Sequence, residues 1–393
     1  YNLILSGKEP YLGVLLTYPQ EEAASPYNSP IWLKKPGRSR SAAVSDPIGI
    51  GLIGAGLFAR GTLLPTLQKI PQVRFRAVAS SAGLNASHVA EKFGFDYCTS
   101  DCQRLVEDPQ IHLIVVATRH GSHARLACEA LRHGKHVFVE KPLAVNREQL
   151  EEIIGACGAS SSCPSPSNPV LMVGFNRRFS RFTQWIKQEC AAIREPLAVQ
   201  CTVNTGSLSA DSWVYDRVDG GGRIIGEVCH FIDLIQYLTG SWPRRVYAEA
   251  LSSPRYHRTD NLVITLKMED GSVGSIQYFS GGDKTYPRER VEIFGGGAVG
   301  LIDNFRYACF VRKGKKSRLR NWFSSDRGHR AEMEALLGVI CYGAQPPVPL
   351  EDYVRTTLTT FAIEESLRSG TPVEVERAVV LARPELAECA AGS

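Results

Sequence analysis

This sequence predicts an α/β chain: a Rossmann unit with a doubly wound parallel sheet, then an α+β unit with a large, mostly antiparallel sheet. Three observations carry that expectation. Residues 48–61, IGIGLIGAGLFARG, are an apolar run that ends in a glycine turn. Apolar strands then alternate with helical stretches up to Pro142. From residue 198 onward, period-2 strands follow one another with little helix between them.

Residues 1–47 read as an N-terminal extension and linker, with 21–47 rich in Pro, Ser and charge. Ile48, Ile50, Leu52 and Ile53 form a buried parallel strand. It runs into Gly54-Ala55-Gly56-Leu57-Phe58-Ala59, the G-x-G-x-x-G/A spacing of a dinucleotide site. Gly54 permits the tight turn, Gly56 lets the backbone approach a pyrophosphate, and small Ala59 lets the next helix pack closely. Leu57 and Phe58 belong to the same cradle, at the N-terminus of that helix, where free N–H groups and the dipole favour phosphate.

Residues 72–79, QVRFRAVA, make the second strand and complete a βαβ unit. A third strand, 111–117, leads into Thr118-Arg119-His120-Gly121-Ser122-His123, followed by a helix over about 124–132. The strand 136–139 then delivers Glu140-Lys141-Pro142. Ligands bind beyond the carboxyl ends of such strands, so Ser80, Thr118–His123 and Glu140–Pro142 are expected around one crevice. A Ser/Pro-rich loop over 160–169 interrupts the fold, and 170–175 reads as the final strand of that sheet. The expected units are therefore 48–169, binding dinucleotide, and 170–393, serving substrate and oligomerisation. In the second unit, strands at 198–206, 244–251, 261–268, 271–280 and 288–295 surround one clear helix, Glu227–Leu238. One face of that sheet is expected to cover the crevice or to meet another subunit.

GLIGAGLFA, then VVATRHGSHARLACEALRHGKHVFVEKPLA (115–144) and VGFNRRF (173–179), closely resemble the Gfo/Idh/MocA family of NAD(P)-dependent sugar and polyol oxidoreductases. The resemblance spans roughly residues 48–375. It implies that Lys141 contacts both the nicotinamide end of the cofactor and the substrate. It implies that Glu140, Thr118, His120 and His123 lie along the cofactor, although His123 is equally suited to capping the next helix. It also implies a catalytic histidine at His230, after the run Gly220-Gly221-Gly222. The family places an aspartate four residues before that histidine, whereas this chain has Gly226 there and Glu227 three residues before. On a helix Glu227 shares a face with His230 and is expected to orient it, with Asp233 on the same face as an expected substrate contact. The segments 220–234 and 327–375 look like the branch fused behind a medium-chain, zinc-type dehydrogenase-like domain. Residues 1–20 look like the end of such a domain, and the first residue is Tyr rather than Met, so a fragment of a longer protein is expected.

Hydride transfer needs a group to take the hydroxyl proton, and Lys141 and His230 are the candidates, with Glu227 in support. Arg177 and Arg178 follow the last strand, where a guanidinium suits substrate hydroxyls or phosphate. Lys284 and Arg288 are weaker candidates on a loop. After the second strand stands Ala79-Ser80-Ser81-Ala82-Gly83, with neither a carboxylate for a ribose 2′-hydroxyl nor an arginine for a 2′-phosphate. The cofactor expectation is therefore NAD or NADP.

Composition narrows the class further. A net charge of +5 suits anionic ligands but is too small to imply nucleic acid. The stretch 312–320, RKGKKSRLR, has no interleaved aromatics and reads as a solvated hairpin. No apolar run approaches the ~18–20 residues of a membrane span, and no signal-peptide pattern is present. Eleven scattered cysteines, with Cys98 and Cys102 the only close pair, indicate reduced thiols in the cytoplasm and no metal. The expected partners are a small sugar-like substrate and further copies of the chain, not nucleic acid or membrane. The leading function is hydride exchange between a nicotinamide cofactor and a hydroxyl or keto carbon of a sugar, polyol or nucleotide-linked sugar. Two other classes remain open: transient oxidation by tightly held NAD during sugar cleavage or epimerisation, and a non-catalytic dinucleotide sensor.

Overall fold

A computed structural model describes residues 30–33, 47–81, 83–160 and 168–376. The sequence expectations for residues 1–20 and for the core of the 160–169 loop lie outside the described residues.

Seven strands form the first sheet: β1 (Ile31–Trp32), β2 (Ile48–Ile53), β3 (Val73–Ala79), β4 (Tyr97–Thr99), β5 (Leu113–Val116), β6 (His136–Val139) and β7 (Leu171–Val173). Their order is β1-β4-β3-β2-β5-β6-β7, parallel throughout except for β1. All six residues of β2 are buried. Ile50, Leu52 and Ile53 each contribute about 1.5–3 kcal/mol by leaving water, which explains why a run with no polar alternation becomes the central strand. Strand order reverses between β2 and β5, so the crevice opens at that switch point.

The segment 21–47 is not wholly a linker, because Ile31 and Trp32 pair antiparallel with Cys98 and Tyr97. The Trp32 ring lies 4.7 Å from the Tyr97 ring, and the Arg76 guanidinium stands 5.0 Å from Trp32. Two residues inside a Pro/Ser-rich stretch carry too little pattern to register as a strand.

The second sheet has nine strands: β8 (Ala198–Asn204), β9 (Pro243–Ala250), β10 (Asn261–Met268), β11 (Val273–Phe279), β12 (Glu289–Gly295), β13 (Ala298–Asp303), β14 (Tyr307–Arg312), β15 (Lys315–Arg320) and β16 (Val373–Glu374). Their order is β15-β14-β13-β12-β8-β11-β10-β9-β16, and only β8 and β11 run parallel. The basic stretch 312–320 belongs to the β14–β15 hairpin at one edge, where lysines and arginines discourage edge-to-edge pairing. Inward residues such as Leu262, Ile264 and Leu266 are fully buried, while Val263, Val273, Phe294 and Val299 remain exposed on the sheet. Helices Cys229–Thr239 and Leu350–Ser369 are lined with buried residues. No helix among the described residues is long and apolar enough to cross a membrane.

The helix His329–Tyr342 comes late in the chain yet packs against the helix Leu64–Leu67 of the first unit. Its first residue, His329, lies 5.8 Å ring to ring from Phe58 of the glycine turn. This packing, with the loops around Trp213–Gly222, encloses the crevice.

Candidate active site

The carboxyl ends of β2, β3, β5 and β6 open on one cleft of about 1490 Å³. At its floor Gly54 has φ +104°, and a Cβ there would stand 2.4 Å from the Ala117 carbonyl oxygen. A side chain is thus excluded by both conformation and space. At Gly56 the reverse holds, because no atom lies within 4 Å of where a Cβ would stand. Leu57 is 83% exposed toward that opening, and Phe58 is also exposed. An open cradle beside a helix N-terminus fits a pyrophosphate, and the residues present therefore suit a dinucleotide. Ser80, Ser81 and Asn85 line the end expected to take the adenosine ribose, with no carboxylate among the described residues there.

Thr118, His120, His123 and Glu140 all border the same cleft. The Thr118 hydroxyl lies 2.6 Å from Ser122 Oγ. His123 is completely buried, with Nδ1 2.8 Å from the Pro142 oxygen and Nε2 3.2 Å from the Thr118 oxygen. It ties the β5 and β6 loops together and makes no side-chain cap on its own helix. Burial pushes the Glu140 carboxyl up to about 7, with Lys141 opposing.

Lys141 reaches into the cleft and donates from Nζ to the Gly226 oxygen at 2.6 Å. His230 faces the same space. Burial, followed by the charges of Arg177 and Lys141, holds its imidazole well below the usual histidine range, so it is neutral. Its Nδ1 is buried and has no hydrogen-bond partner among the described residues.

Glu227 also lines the cleft, but it does not orient His230. Residues 224–228 form a π-helical turn ahead of the α-helix, so the three-residue spacing no longer implies one face. Its carboxylate instead accepts from Tyr278 Oη at 2.6 Å and Thr205 Oγ1 at 3.3 Å. Burial alone would raise this carboxyl, but Lys141 and the Tyr278 bond bring it below the usual range. Arg223, buried behind it, donates to Tyr278 Oη at 2.8 Å and pairs with Asp260 at 3.3 Å. A fixed carboxylate, an amine and a neutral imidazole therefore share one cleft.

Two expected substrate residues are placed elsewhere. Arg178 and Asp233 form a two-pronged ion pair with each other, Nε to Oδ2 at 3.0 Å, and Arg178 also meets Asp352 at 3.2 Å. Neither lines the cleft. Arg177 does, but Glu289 holds its guanidinium at 2.7 and 2.9 Å. Arg288 stands half-exposed on the cleft wall, while Lys284 lies off it.

The structure adds residues that sequence reasoning missed. His329 is half-buried, and its Nε2 accepts from Asn176 Nδ2 at 3.1 Å. Burial and the charges of Arg177 and Arg327 lower it to about 4. Trp213 packs edge-on against His120 at 4.8 Å. Asn176 lay inside a quoted motif, but nothing local distinguishes His329 or Trp213.

Residues 48–163 match the profile of an oxidoreductase family with an NAD-binding Rossmann fold, and residues 189–299 match the GFO/IDH/MocA C-terminal domain. The chain is 25% identical to a myo-inositol 2-dehydrogenase of Thermotoga maritima, over 84% of this chain and 99% of that protein. It is 28% identical to a levoglucosan dehydrogenase of Pseudarthrobacter phenanthrenivorans, over 58% of this chain and 67% of that one. Its fold superposes on GenD2 from gentamicin A biosynthesis in complex with NAD, with a TM-score of 0.73, at 20% identity, over 86% of this chain and 99% of that one.

Proposed function

We propose, because the chain belongs to the Gfo/Idh/MocA family of oxidoreductases, that it exchanges a hydride with a secondary hydroxyl or keto carbon of a sugar or polyol. The observation that carries this reading is the meeting of Lys141, His230 and Glu227 in the cleft that begins at the glycine turn. Gly54, Gly56, Leu57 and Phe58 would hold the pyrophosphate, with Ser80 toward the adenosine ribose and Thr118, His123 and Glu140 toward the nicotinamide side. Bound NAD supplies the hydride acceptor.

The remaining chemistry belongs to the chain. As the substrate carbonyl forms, its hydroxyl must lose a proton. Lys141 Nζ is held by a neutral carbonyl, and the neutral imidazole of His230 lines the same cleft. Both are assigned to proton transfer. Glu227, fixed by Tyr278 and Thr205, balances the lysine charge. Relatives named for inositol and levoglucosan support a neutral, polyhydroxylated substrate.

The test begins with fluorescence titration by NADH and by NADPH, because Ser80 and Ser81 replace any carboxylate at the ribose end. Oxidation of myo-inositol, levoglucosan and D-glucose is then followed at 340 nm. Tight binding with turnover of one of them is expected. Copurifying nucleotide without net turnover would favour transient oxidation, and binding without any reaction would favour a sensor.

The exposed sheet face bearing Val263, Val273, Phe294 and Val299 supports pairing with a second copy. Light scattering after gel filtration tests this. Fusion of residues 1–20 to a preceding dehydrogenase-like domain is likewise a proposal, tested by sequencing the transcript upstream.

A further inference from the structure

His120 sits on the loop after β5, between Trp213 on one side and the backbone of Gly226 on the other. A Cβ on Gly226 would stand 2.6 Å from His120 Cε1 and 3.1 Å from Nδ1. The imidazole therefore occupies the space that any side chain at 226 would need. On its far side the Gly226 oxygen accepts from Lys141 Nζ at 2.6 Å. Histidine, glycine and lysine form one interlocked cluster.

The ring's tautomer follows from one bond. Nδ1 lies 2.6 Å from the Gly220 oxygen, and a carbonyl oxygen only accepts, so Nδ1 carries the proton. Burial, then the charge of Lys141, pushes the ring down to about 3, which keeps it neutral through the physiological range. Nε2 is thus a bare acceptor, since the hydrogen bond that the ring makes among the described residues is the one at Nδ1. The ring is 8% exposed and borders the cleft. Its neighbours are Trp213, His123, Gly220, Gly226 and Lys141.

We propose that His120 is a substrate-binding residue whose Nε2 accepts a hydrogen bond from a substrate hydroxyl beside Lys141, and that Gly226 is the residue this imidazole requires. The inference rests on the polyol reading above and deepens it. A neutral acceptor selects a hydroxyl at this point and disfavours a carboxylate or phosphate, which brings no proton to share. It moves His120 from the cofactor to the substrate side. It also gives a reason for glycine at 226: the volume that a side chain would use is filled from another loop.

Two substitutions separate the atoms of the ring. His120→Asn retains a donor toward Gly220 but has no atom at the Nε2 position, whereas His120→Gln reaches that position with an acceptor. The readouts are kcat/KM for the best polyol of the panel, a calorimetric Kd for that polyol on NADH-loaded protein, and the NADH Kd itself. His120→Asn is expected to lower kcat/KM and polyol affinity by about ten- to hundredfold, the range for a polar site left unpaired. NADH affinity should hold, and His120→Gln should recover part of the loss. Gly226→Ala should lose activity on its own, and adding His120→Asn should restore some of it, because Cε1 is gone.

Wild-type polyol affinity in His120→Asn would overturn the inference, as would a loss of NADH affinity as large as the loss in kcat/KM. Full activity in Gly226→Ala would overturn the interlock. Wild-type protein that neither binds nor oxidises any polyol would instead overturn the functional reading, and with it the hydroxyl assigned to Nε2.

Discussion

Asp233→Asn tests whether the Arg178–Asp233 pair serves the fold rather than the substrate. Asp233 is fully buried and Arg178 is 4% exposed, and two-pronged bonding joins them. Removing one partner of a buried pair costs about 3–5 kcal/mol, because the other charge is left without compensation. Asp352 remains 3.2 Å from Arg178, and asparagine keeps one acceptor, which places the expected loss near the lower end, about 3 kcal/mol. At roughly 1.2 °C per kcal/mol for a chain of this size, the melting midpoint should fall by about 4 °C. Thermal melting by circular dichroism reads this directly, and NADH titration below the transition should match wild type. An unchanged midpoint together with a raised KM would refute the reasoning and return Asp233 to the substrate.

Glu140→Gln should change how stability depends on pH. Glu140 titrates near 7 in the fold against the usual 4.5, so the folded state binds the extra proton between those values. Stability should therefore fall as pH rises from about 5 to 7.5, by up to roughly 3 kcal/mol from this group. The glutamine variant should show a flatter profile, and an equal slope in melts across that range would remove Glu140 as the cause. Gly54→Ala should weaken NADH binding at least about tenfold, since φ +104° and the Ala117 oxygen at 2.4 Å both oppose a side chain. Wild-type affinity in that variant would show that the turn is not the cradle. Lys141→Gln should lower kcat about 100-fold or more with little change in the melting midpoint. Retained turnover would take Lys141 out of proton transfer.

The legible parts of this protein are those that local physics settles. An apolar run needs a sheet around it, a G-x-G-x-x-A turn needs the strand before it and the helix after it, and strands alternating with helices wind one way. From these came the parallel sheet and the convergence of Ser80, Thr118–His123 and Glu140–Lys141 on one cleft. A two-residue strand at Ile31–Trp32 was too short to leave a periodic trace.

Tertiary structure decided the rest, because a charged side chain acts according to its partner, and the partners lie far away in sequence. Arg177 and Arg178 are neighbours of one chemistry at the same strand end. One borders the cleft paired to Glu289, and the other is buried against Asp233 and Asp352. Glu227 and His230 looked aligned only while their helix was taken as regular, and the π-turn turned the carboxylate to Tyr278. Gly226 looked like a missing carboxylate in the sequence. Folding brings it against His120, a hundred residues earlier, and the two cannot both carry bulk in a close-packed interior.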